Sequence, residues 1–234
     1  MIGKGKSISH GVAALEYDLA KEINGQAVAT EIARHELYGC TGAEMVQEMK
    51  PYHADFPNVK NNCLRFEVSP SIEESATFTD ADWAELGNDF MQRMGLANHQ
   101  YIIIRHSGTE SKKEQAHLHI LANRVSLSGE LYRDNWIGKK ATEAANAIAK
   151  ERNFVQSQDI GKVNKAEIKE AMDGVLKKMQ GFDFTKFKEE LGKRGFKVRE
   201  ARASTGKLNG YYVTARSGTE YKASEIGKGY TLAH

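Results

Sequence analysis

The sequence predicts an α+β fold in which an antiparallel sheet is flanked by helices, with a small basic helix-plus-β module at the C-terminal end. Two apolar runs, YIIIRH at 101–106 and HLHILANRV at 117–125, have strong strand patterns and are joined by a polar loop, as in a hairpin. Helical patterns surround them without regular β-α-β alternation, which favours an antiparallel sheet. After about residue 157 the chain changes to charged amphipathic helices and short strands.

The remaining elements follow from periodicity and capping signals. Residues 12–23 predict a helix, because Val12, Leu15, Leu19 and Ile23 form one apolar stripe, whereas residues 26–60 predict short helical pieces and loops. CLRFEVS at 63–69 alternates as a strand. Residues 79–95 predict a helix with Thr79 as its N-cap and Gly95 at its end. Further helices are predicted at 138–151, 164–179 and 183–195, and short strands in FKVREARAS, YYVTARSG and EYKASEI.

Composition limits the class of protein. The 234 residues are 40% hydrophobic and 27% charged, which is enough apolar material for a real core. We expect no membrane association, because the chain has no apolar run of the length that a membrane span needs and no signal peptide at its start. Two cysteines make neither a disulfide framework nor a cysteine zinc site, so we expect a reducing, cytoplasmic location.

Charge is distributed unevenly along the chain. Residues 1–158 carry 17 Lys and Arg against 21 Asp and Glu, a net charge of −4, whereas residues 159–234 carry 16 against 10, a net charge of +6. A basic C-terminal portion indicates a polyanionic partner, although a lysine-rich solvated surface gives the same count. We predict two domains, a core at 1–157 and a basic helical and β-hairpin module at 158–234.

Three histidines are predicted to converge on one face of the sheet. Side chains alternate along a strand, so His117, His119 and Asn123 share a face. If the two strong strands pair with His106 opposite His117, all three imidazoles meet, because residues facing each other across a ladder lie about 5 Å apart. Three neutral imidazoles form a metal site with open coordination positions, and such a metal can polarise a phosphoryl oxygen. A structural or surface role for the histidines is the alternative.

Tyr17 is a candidate nucleophile. On the predicted helix it lies away from the apolar stripe and therefore faces solvent or a cleft. A phenol ionises only near pH 10 in water, so a nucleophilic tyrosine needs a nearby metal or base. An ordinary exposed tyrosine is the alternative, and Tyr38, Tyr52 and Tyr101 are rival nucleophiles, of which Tyr101 is the least suitable because it lies at the far end of its strand.

These motifs resemble a known family. ALEYDL, then RH at the end of an apolar strand, then HLHILANRV are similar in order and spacing to the relaxase/mobilisation nucleases of conjugative and mobilisable elements. That family belongs to the endonucleases marked by a histidine–hydrophobic–histidine strand. The similarity covers roughly residues 1–150, and the segments FKEELGKRGFKV, GKLNGYYV and KASEIGKGY also resemble the region after the nuclease core in these proteins.

The resemblance implies a definite reaction. Tyr17 would attack a phosphodiester of single-stranded DNA at a transfer origin, form a 5′-phosphotyrosine and free a 3′-hydroxyl, and the reverse step would rejoin the strand. His106, His117 and His119 would hold the divalent metal, with Asn123 in support. An imidazole site suits manganese, nickel or zinc better than magnesium, whereas the family implies magnesium or manganese; we expect Mn²⁺ or Mg²⁺.

The chain departs from the family pattern beside the first histidine. Family members have a shorter link between this histidine and the pair, with an aspartate two residues after it, but Gly108 occupies that place here. The carboxylate that orients a metal ligand is therefore not identified by the motif. Glu110 or Glu114 is the expected substitute.

DNA contacts are expected from basic and aromatic side chains, because single strands are held by cationic grooves and by stacking. The candidates in the core are Lys4, Lys6, Arg65 and Arg105, and those in the tail include Arg202, Lys207 and Arg216. We expect a monomer that works with accessory mobilisation and coupling proteins. The alternatives are a related replication initiator or transposase, a non-catalytic single-stranded DNA-binding protein, and a metal-binding structural protein.

Overall fold

The structure, a computed structural model, describes residues 1–108 and 115–232. Contacts within the chain divide it into two compact units, Met1–Ser157 and Gln158–His234. Across the described residues, no helix combines the length and the apolar character needed to cross a membrane.

The first unit is built from strands and helices in mixed order, with a 3₁₀ turn after α2. In chain order they are β1 (Ile2–Ile8), α1 (Gly11–Leu19), β2 (Glu22–Ile23), β3 (Gln26–Ala27), β4 (Ala29–His35), α2 (Gly42–Met49), β5 (Cys63–Ser69), α3 (Ile72–Ser75), α4 (Asp80–Arg93), β6 (His99–His106), β7 (His117–Ser126) and α5 (Ile137–Glu151).

Five strands form the central sheet, in the order β1-β5-β7-β6-β4, and every neighbouring pair is antiparallel. The predicted fold class, an antiparallel sheet flanked by helices, is confirmed. The two strands with the strongest sequence patterns, β6 and β7, lie next to each other, and each also pairs with a further strand on its outer side.

Helices cover both faces of this sheet. On one face Leu64, Phe66, Leu118 and Ile120 pack against α4 and α5 in the larger core. On the other face residues such as Leu121 pack with side chains of α1 and α2. The alternation of side chains along β7 therefore sends even-numbered residues to the larger core and odd-numbered residues to the face that carries α1.

Helix α4 confirms the prediction made from capping signals. The Thr79 hydroxyl accepts a hydrogen bond from the backbone of Asp82, and the Asp82 carboxylate accepts one from the backbone of Thr79. Gly95 follows the helix with φ 72°, a left-handed conformation that favours glycine. This capping fixes where α4 starts and therefore which of its residues reach the sheet.

Helix α1 is shorter than predicted. It ends at Leu19 rather than at residue 23, and Ile23 lies in β2. The reason is the dipeptide Asn24-Gly25, whose φ angles of 53° and 75° form the tight turn between β2 and β3. Of the predicted apolar stripe, Leu15 is buried and Leu19 packs against the same core, whereas Val12 is exposed and Ile23 lies outside the helix; the other buried positions of α1 are Gly11, Ala14 and Asp18.

Two strands of the central sheet were not predicted. In β1 the glycines lie on the face covered by α5, and a Cβ atom at Gly3 would lie 2.6 Å from the Cβ atom of Ala145. The helix thus packs directly on backbone, and no hydrophobic alternation marks the strand. Residues 29–35 form β4 rather than the helical pieces and loops expected, with a register shift between Glu31 and Ala33 that disrupts the alternation.

The second unit combines helices with a three-stranded antiparallel sheet of order β10-β9-β8. Its core joins residues such as Ile168, Met172, Phe187, Tyr211 and Val213. The predicted helices are confirmed, although the first begins earlier, at Ser157. The strands predicted in FKVREARAS and YYVTARSG are also confirmed, but EYKASEI is a strand only over Glu220–Lys222, because the Glu225 carboxylate accepts a hydrogen bond from the backbone of Lys222 and caps a short helix that starts at Ala223. The elements are α6 (Ser157–Leu176), α7 (Phe184–Lys193), β8 (Lys197–Arg202), β9 (Leu208–Thr214), β10 (Glu220–Lys222) and α8 (Ala223–Ile226).

Candidate active site

Three imidazoles meet at the ends of β6 and β7. His106 pairs with His117 across the antiparallel ladder, as predicted, and His119 lies on the same face. The ring centre of His106 is 4.4 Å from that of His119 and 5.4 Å from that of His117, and the candidate ligand nitrogens all lie within 4.8 Å of one another. We call these three residues the histidine cluster.

Burial disfavours the charged form of two histidines of the cluster. Desolvation lowers the pKa of His119 to about 2, and the neighbouring His106, His117 and Arg65 act in the same direction because their positive charges repel an imidazolium. Desolvation also lowers the pKa of His106. Neutral imidazoles carry the lone pairs that metal binding requires.

Backbone carbonyls fix which nitrogens of His106 and His117 are free. His106 Nε2 lies 2.7 Å from the carbonyl oxygen of Asp18, and His117 Nδ1 lies 3.2 Å from that of Gln115. A carbonyl oxygen only accepts, so each of these nitrogens carries the proton. The lone pairs therefore belong to His106 Nδ1 and His117 Nε2.

His119 has two possible arrangements of its proton. Its Nε2 lies 3.1 Å from His117 Nε2, and its Nδ1 lies 3.3 Å from Arg65 Nη2 and 3.7 Å from Asp18 Oδ1. Without a cation, Nε2–H donates to His117 and Nδ1 accepts from Arg65. If His119 served as a ligand to a cation, its ring would carry the proton on Nδ1, and Asp18 is the nearby carboxylate toward which that proton would be directed, an arrangement common in metal sites. The donor set therefore fits a divalent metal.

Asp18 is a buried carboxylate that joins α1 to the sheet. Only 1% of it is exposed, and it forms an ion pair with Arg65, whose Nε donates to Asp18 Oδ2 at 3.0 Å. Burial raises the pKa of Asp18, although the hydrogen bond from Arg65 acts in the opposite direction. This pair holds the helix that contains Tyr17 beside the histidine cluster.

Tyr17 immediately precedes this carboxylate and is 55% exposed. Its hydroxyl lies 2.6 Å from Nζ of Lys21, four residues further on and just past the end of α1, and this Nζ is also 4.8 Å from the ring centre. Water and a substrate can therefore reach the phenol oxygen. Among the described residues, no hydrogen bond joins this hydroxyl to the histidine cluster.

A basic groove leads away from His119 across β5 to β1. It has a volume of about 230 Å³ and is lined by Lys4, Gly5, Lys6, Arg65, Phe66, Glu67 and His119. In the ladder Lys6 pairs with Arg65, and Lys4 pairs with Glu67, to which its ammonium group also donates at 2.9 Å. Three of the predicted DNA contacts, Lys4, Lys6 and Arg65, are thus brought together beside the histidine cluster. We call this feature the basic groove.

Other predicted site residues are not brought there. Asn123 is fully buried, and its amide bonds His53, the Val125 backbone, the Met49 carbonyl and Gln100 instead of a histidine of the cluster. Arg105 lies on the opposite face and forms an ion pair with Asp80, because alternate residues of β6 face opposite ways. Glu110 and Glu114 lie outside the described residues.

The tail candidates all belong to the second unit. Arg202 pairs with Glu200 and donates to the Gly206 carbonyl at 2.8 Å, while Lys207 is exposed in the turn between β8 and β9. The Arg216 guanidinium lies 5.2 Å from the ring centre of Phe196. These residues lie on the surface of the unit and are available to solvent.

Sequence reasoning missed Asp18 and Lys21. One signal was present for Asp18: a charged residue occupies the position that continues the buried spacing of Gly11, Ala14 and Leu15. Its partners lie on other strands, so the ion pair itself leaves no mark in the local sequence. Lys21 follows Tyr17 at a spacing of four, which would place the two side chains on the same face of the helix predicted over residues 12–23, although α1 ends at Leu19.

The chain was compared with known proteins. The family model of the MobA/VirD2-like relaxase nuclease domain matches residues 17–154. Searching the curated proteins gave no match. Among solved structures the chain is similar to the conjugative relaxase TrwC in complex with oriT DNA, in a metal-bound form (12% identity, TM-score 0.38) and a metal-free form (10% identity, TM-score 0.40). Each similarity covers 88% of this chain and 74% of the other.

Proposed function

The chain belongs to the MobA/VirD2-like relaxase family, and on this premise we propose that it nicks one strand of DNA at a transfer origin and later rejoins it, which initiates mobilisation of a plasmid or mobile element. One observation carries the proposal: the exposed Tyr17 directly precedes Asp18, whose buried carboxylate lies 3.7 Å from the ring of His119. The candidate nucleophile and the residue that anchors its helix beside the histidine cluster are therefore neighbours in sequence.

Tyr17 is the proposed nucleophile. Its Oη forms a bond to the phosphorus, the bond from phosphorus to the 3′ oxygen breaks, and the products are a 5′-phosphotyrosine and a 3′-hydroxyl. The phenol loses its proton to water, which reaches this exposed side chain, and the leaving 3′ oxygen takes up a proton from water. The ammonium of Lys21, 2.6 Å from Oη, stabilises the phenolate by a charge-assisted hydrogen bond. Rejoining is the reverse step, in which the 3′-hydroxyl attacks the phosphotyrosine.

The remaining residues position the DNA. Lys4, Lys6 and Arg65 would contact phosphates along the basic groove, since cationic side chains supply most of the affinity for a nucleic acid backbone. His106, His117 and His119 would hold Mn²⁺ or Mg²⁺, which when bound supplies positive charge at the scissile phosphate. Asp18 orients His119, the role that the family pattern gives to an aspartate absent from this chain.

The second unit is proposed to bind further DNA. Residues 159–234 carry a net charge of +6, and Arg202, Lys207 and Arg216 lie on the surface. We expect residues 1–157 to carry out DNA cleavage and rejoining. We expect residues 158–234 to increase the affinity for DNA, by an amount that decreases as the salt concentration rises. We propose that the protein acts in the cytoplasm as a monomer, together with accessory mobilisation and coupling proteins.

A cleavage assay tests the proposal. The protein is incubated with Mn²⁺ or Mg²⁺ and single-stranded oligonucleotides that tile the DNA around its own gene, and covalent adducts are separated on a denaturing gel. An adduct should form with the wild type, disappear in Tyr17→Phe and fall sharply in His119→Ala. Tyr38→Phe is the matched control, because Tyr38 is also an exposed tyrosine, 76% accessible, and should leave the yield unchanged.

The alternatives predict different results. Loss of the adduct in Tyr38→Phe, with its persistence in Tyr17→Phe, would make Tyr38 the nucleophile. DNA binding without an adduct under any metal would leave a non-catalytic single-stranded DNA-binding protein. Cleavage of replication-origin or element-end DNA, but not of transfer-origin DNA, would indicate a replication initiator or a transposase.

A further inference from the structure

Trp136 is exposed in a conformation that a bulky residue rarely adopts. Its side chain is 80% accessible, and its backbone, with φ 59° and ψ 27°, lies in the left-handed region. It occupies the N-cap of α5 and forms no side-chain capping bond there. Asparagine or glycine would suit both the backbone and the cap, so tryptophan improves neither. Strain retained on an exposed side chain points to a role outside folding.

The fold places this residue beside the edge strand β1, on the face of the sheet opposite to the one to which the Lys4 and Lys6 side chains of the basic groove point. Helix α5 packs along β1, and a Cβ atom at Gly138, in the first turn after Trp136, would lie 3.5 Å from the carbonyl oxygen of Gly5. Gly5 lines the groove between Lys4 and Lys6, on the strand that forms the edge of the sheet. His119 is two strands away from this edge, about 10 Å at the usual spacing of strands.

The surroundings of Trp136 are polar. Arg133, Asn135 and Lys139 are exposed around it, whereas the next residue, Ile137, is buried. A single flat ring flanked by Arg133 and by Lys139, whose exposed ion pair with Glu143 spans 3.7 Å, lacks the apolar surround of a protein-binding patch. The same combination is what single-stranded nucleic acids bind, because the ring stacks on a base while the cations neutralise phosphates.

We propose that Trp136 stacks on a base of the single-stranded DNA whose phosphates follow the basic groove. The inference rests on the proposed function and adds a residue that holds the strand on the far side of the groove from the histidine cluster. Stacking does not depend on the identity of the base, so Trp136 contributes affinity and positioning rather than sequence recognition.

Fluorescence tests this directly, because the chain has two tryptophans and the other, Trp83, is only 2% exposed. The probe is a mixed-sequence single-stranded oligonucleotide, with affinity measured by fluorescence anisotropy of an attached dye. DNA should quench indole emission in the wild type but not in Trp136→Phe, which retains a stacking ring and most of the affinity. Trp136→Ala should weaken binding by about 5- to 150-fold. Tyr38→Ala, which removes another exposed aromatic ring, should bind as the wild type does.

Trp136→Asn separates stacking from a structural role. Asparagine suits the left-handed backbone and the N-cap, so this variant should melt no lower than the wild type while losing the same affinity as Trp136→Ala. Wild-type affinity and quenching in Trp136→Ala would overturn the inference and leave the proposed function intact if the Tyr17 adduct still formed. A lower melting temperature in Trp136→Asn would also overturn it. Absence of any DNA binding by the wild type would refute the proposed function itself.

Discussion

The ion pair between Asp18 and Arg65 provides the sharpest test of how the site is held together. Asp18→Ala leaves a guanidinium without its carboxylate, and removing one partner of a buried pair typically costs about 3–5 kcal/mol. The Asp18 side chain is 2% exposed but that of Arg65 is 19% exposed. Because water can reach the orphaned guanidinium, we expect the lower end, about 3 kcal/mol of unfolding free energy. At about 2–4 °C per kcal/mol, the melting temperature should fall by roughly 6–12 °C.

Urea unfolding of the metal-free protein measures this loss, and the emission of the buried Trp83 reports on the first unit. Glu143→Ala is the control, because its exposed ion pair with Lys139, at 3.7 Å, should contribute less than about 0.5 kcal/mol. Adding Arg65→Met to Asp18→Ala should restore part of the stability, because the double variant leaves no unpaired charge.

The same carboxylate should affect metal binding. Asp18→Asn keeps the size of the side chain but removes the charge, and loss of such an outer partner typically weakens metal affinity by about 10- to 100-fold. Calorimetric titration with Mn²⁺ measures the change on folded protein. A destabilisation below about 1 kcal/mol in Asp18→Ala, or unchanged Mn²⁺ affinity in Asp18→Asn, would refute the reasoning that joins α1 to the histidine cluster.

Three further outcomes are expected. Lys21→Met should slow adduct formation by about 10- to 100-fold, the value of one charge-assisted hydrogen bond, without changing the melting temperature; Lys21→Arg should recover part of the rate, and an unchanged rate in Lys21→Met would exclude a role in phenolate stabilisation. Gly3→Ala should cost about 1–3 kcal/mol, because its methyl group would collide with α5, whereas Gly192→Ala, with open space around it, should be neutral or stabilising; equal melting temperatures would contradict the close packing. Burial lowers the pKa values of His99, His106 and His119, so the unfolded chain takes up protons that the folded chain does not. The free energy of unfolding should therefore be unaffected by these imidazoles above about pH 6.5 and should fall below that pH, by up to about 1.4 kcal/mol per pH unit for each imidazole. Denaturant titrations of metal-free protein at about pH 7.5 and 5.5 measure this fall; a higher free energy of unfolding at the lower pH would show that the imidazoles are charged in the folded state.

Local chemistry explains which parts of the fold could be predicted. The strand at 63–69 and the helix that starts after Thr79 follow from alternation and capping, which act within a few residues. The meeting of His106 with His117 could also be predicted, because a hairpin ladder requires only that the two strands pair. In each case the residues that determine the structure are close in sequence or joined by one connection.

The features that escaped prediction depend on distant parts of the chain. Strand β1 contains glycines where a helix packs on its backbone, so no hydrophobic pattern marks it, and the partner residues lie in α5. Asp18 is buried because Arg65 faces it from β5, which no local pattern reveals. The early end of α1 could have been predicted locally, because Asn24-Gly25 is a strong turn signal. It was missed because the spacing of apolar residues up to Ile23 favoured a longer helix.

The link between α1 and the sheet also has a mechanical consequence. A DNA strand covalently attached to Tyr17 would transmit any pulling force to a helix of nine residues, rather than to the core of the sheet. The Asp18–Arg65 pair would carry part of that load to β5, which is bonded to a neighbouring strand on each side. Tension on the attached strand would therefore separate Asp18 from Arg65 before it disturbed the strands that contain the histidines.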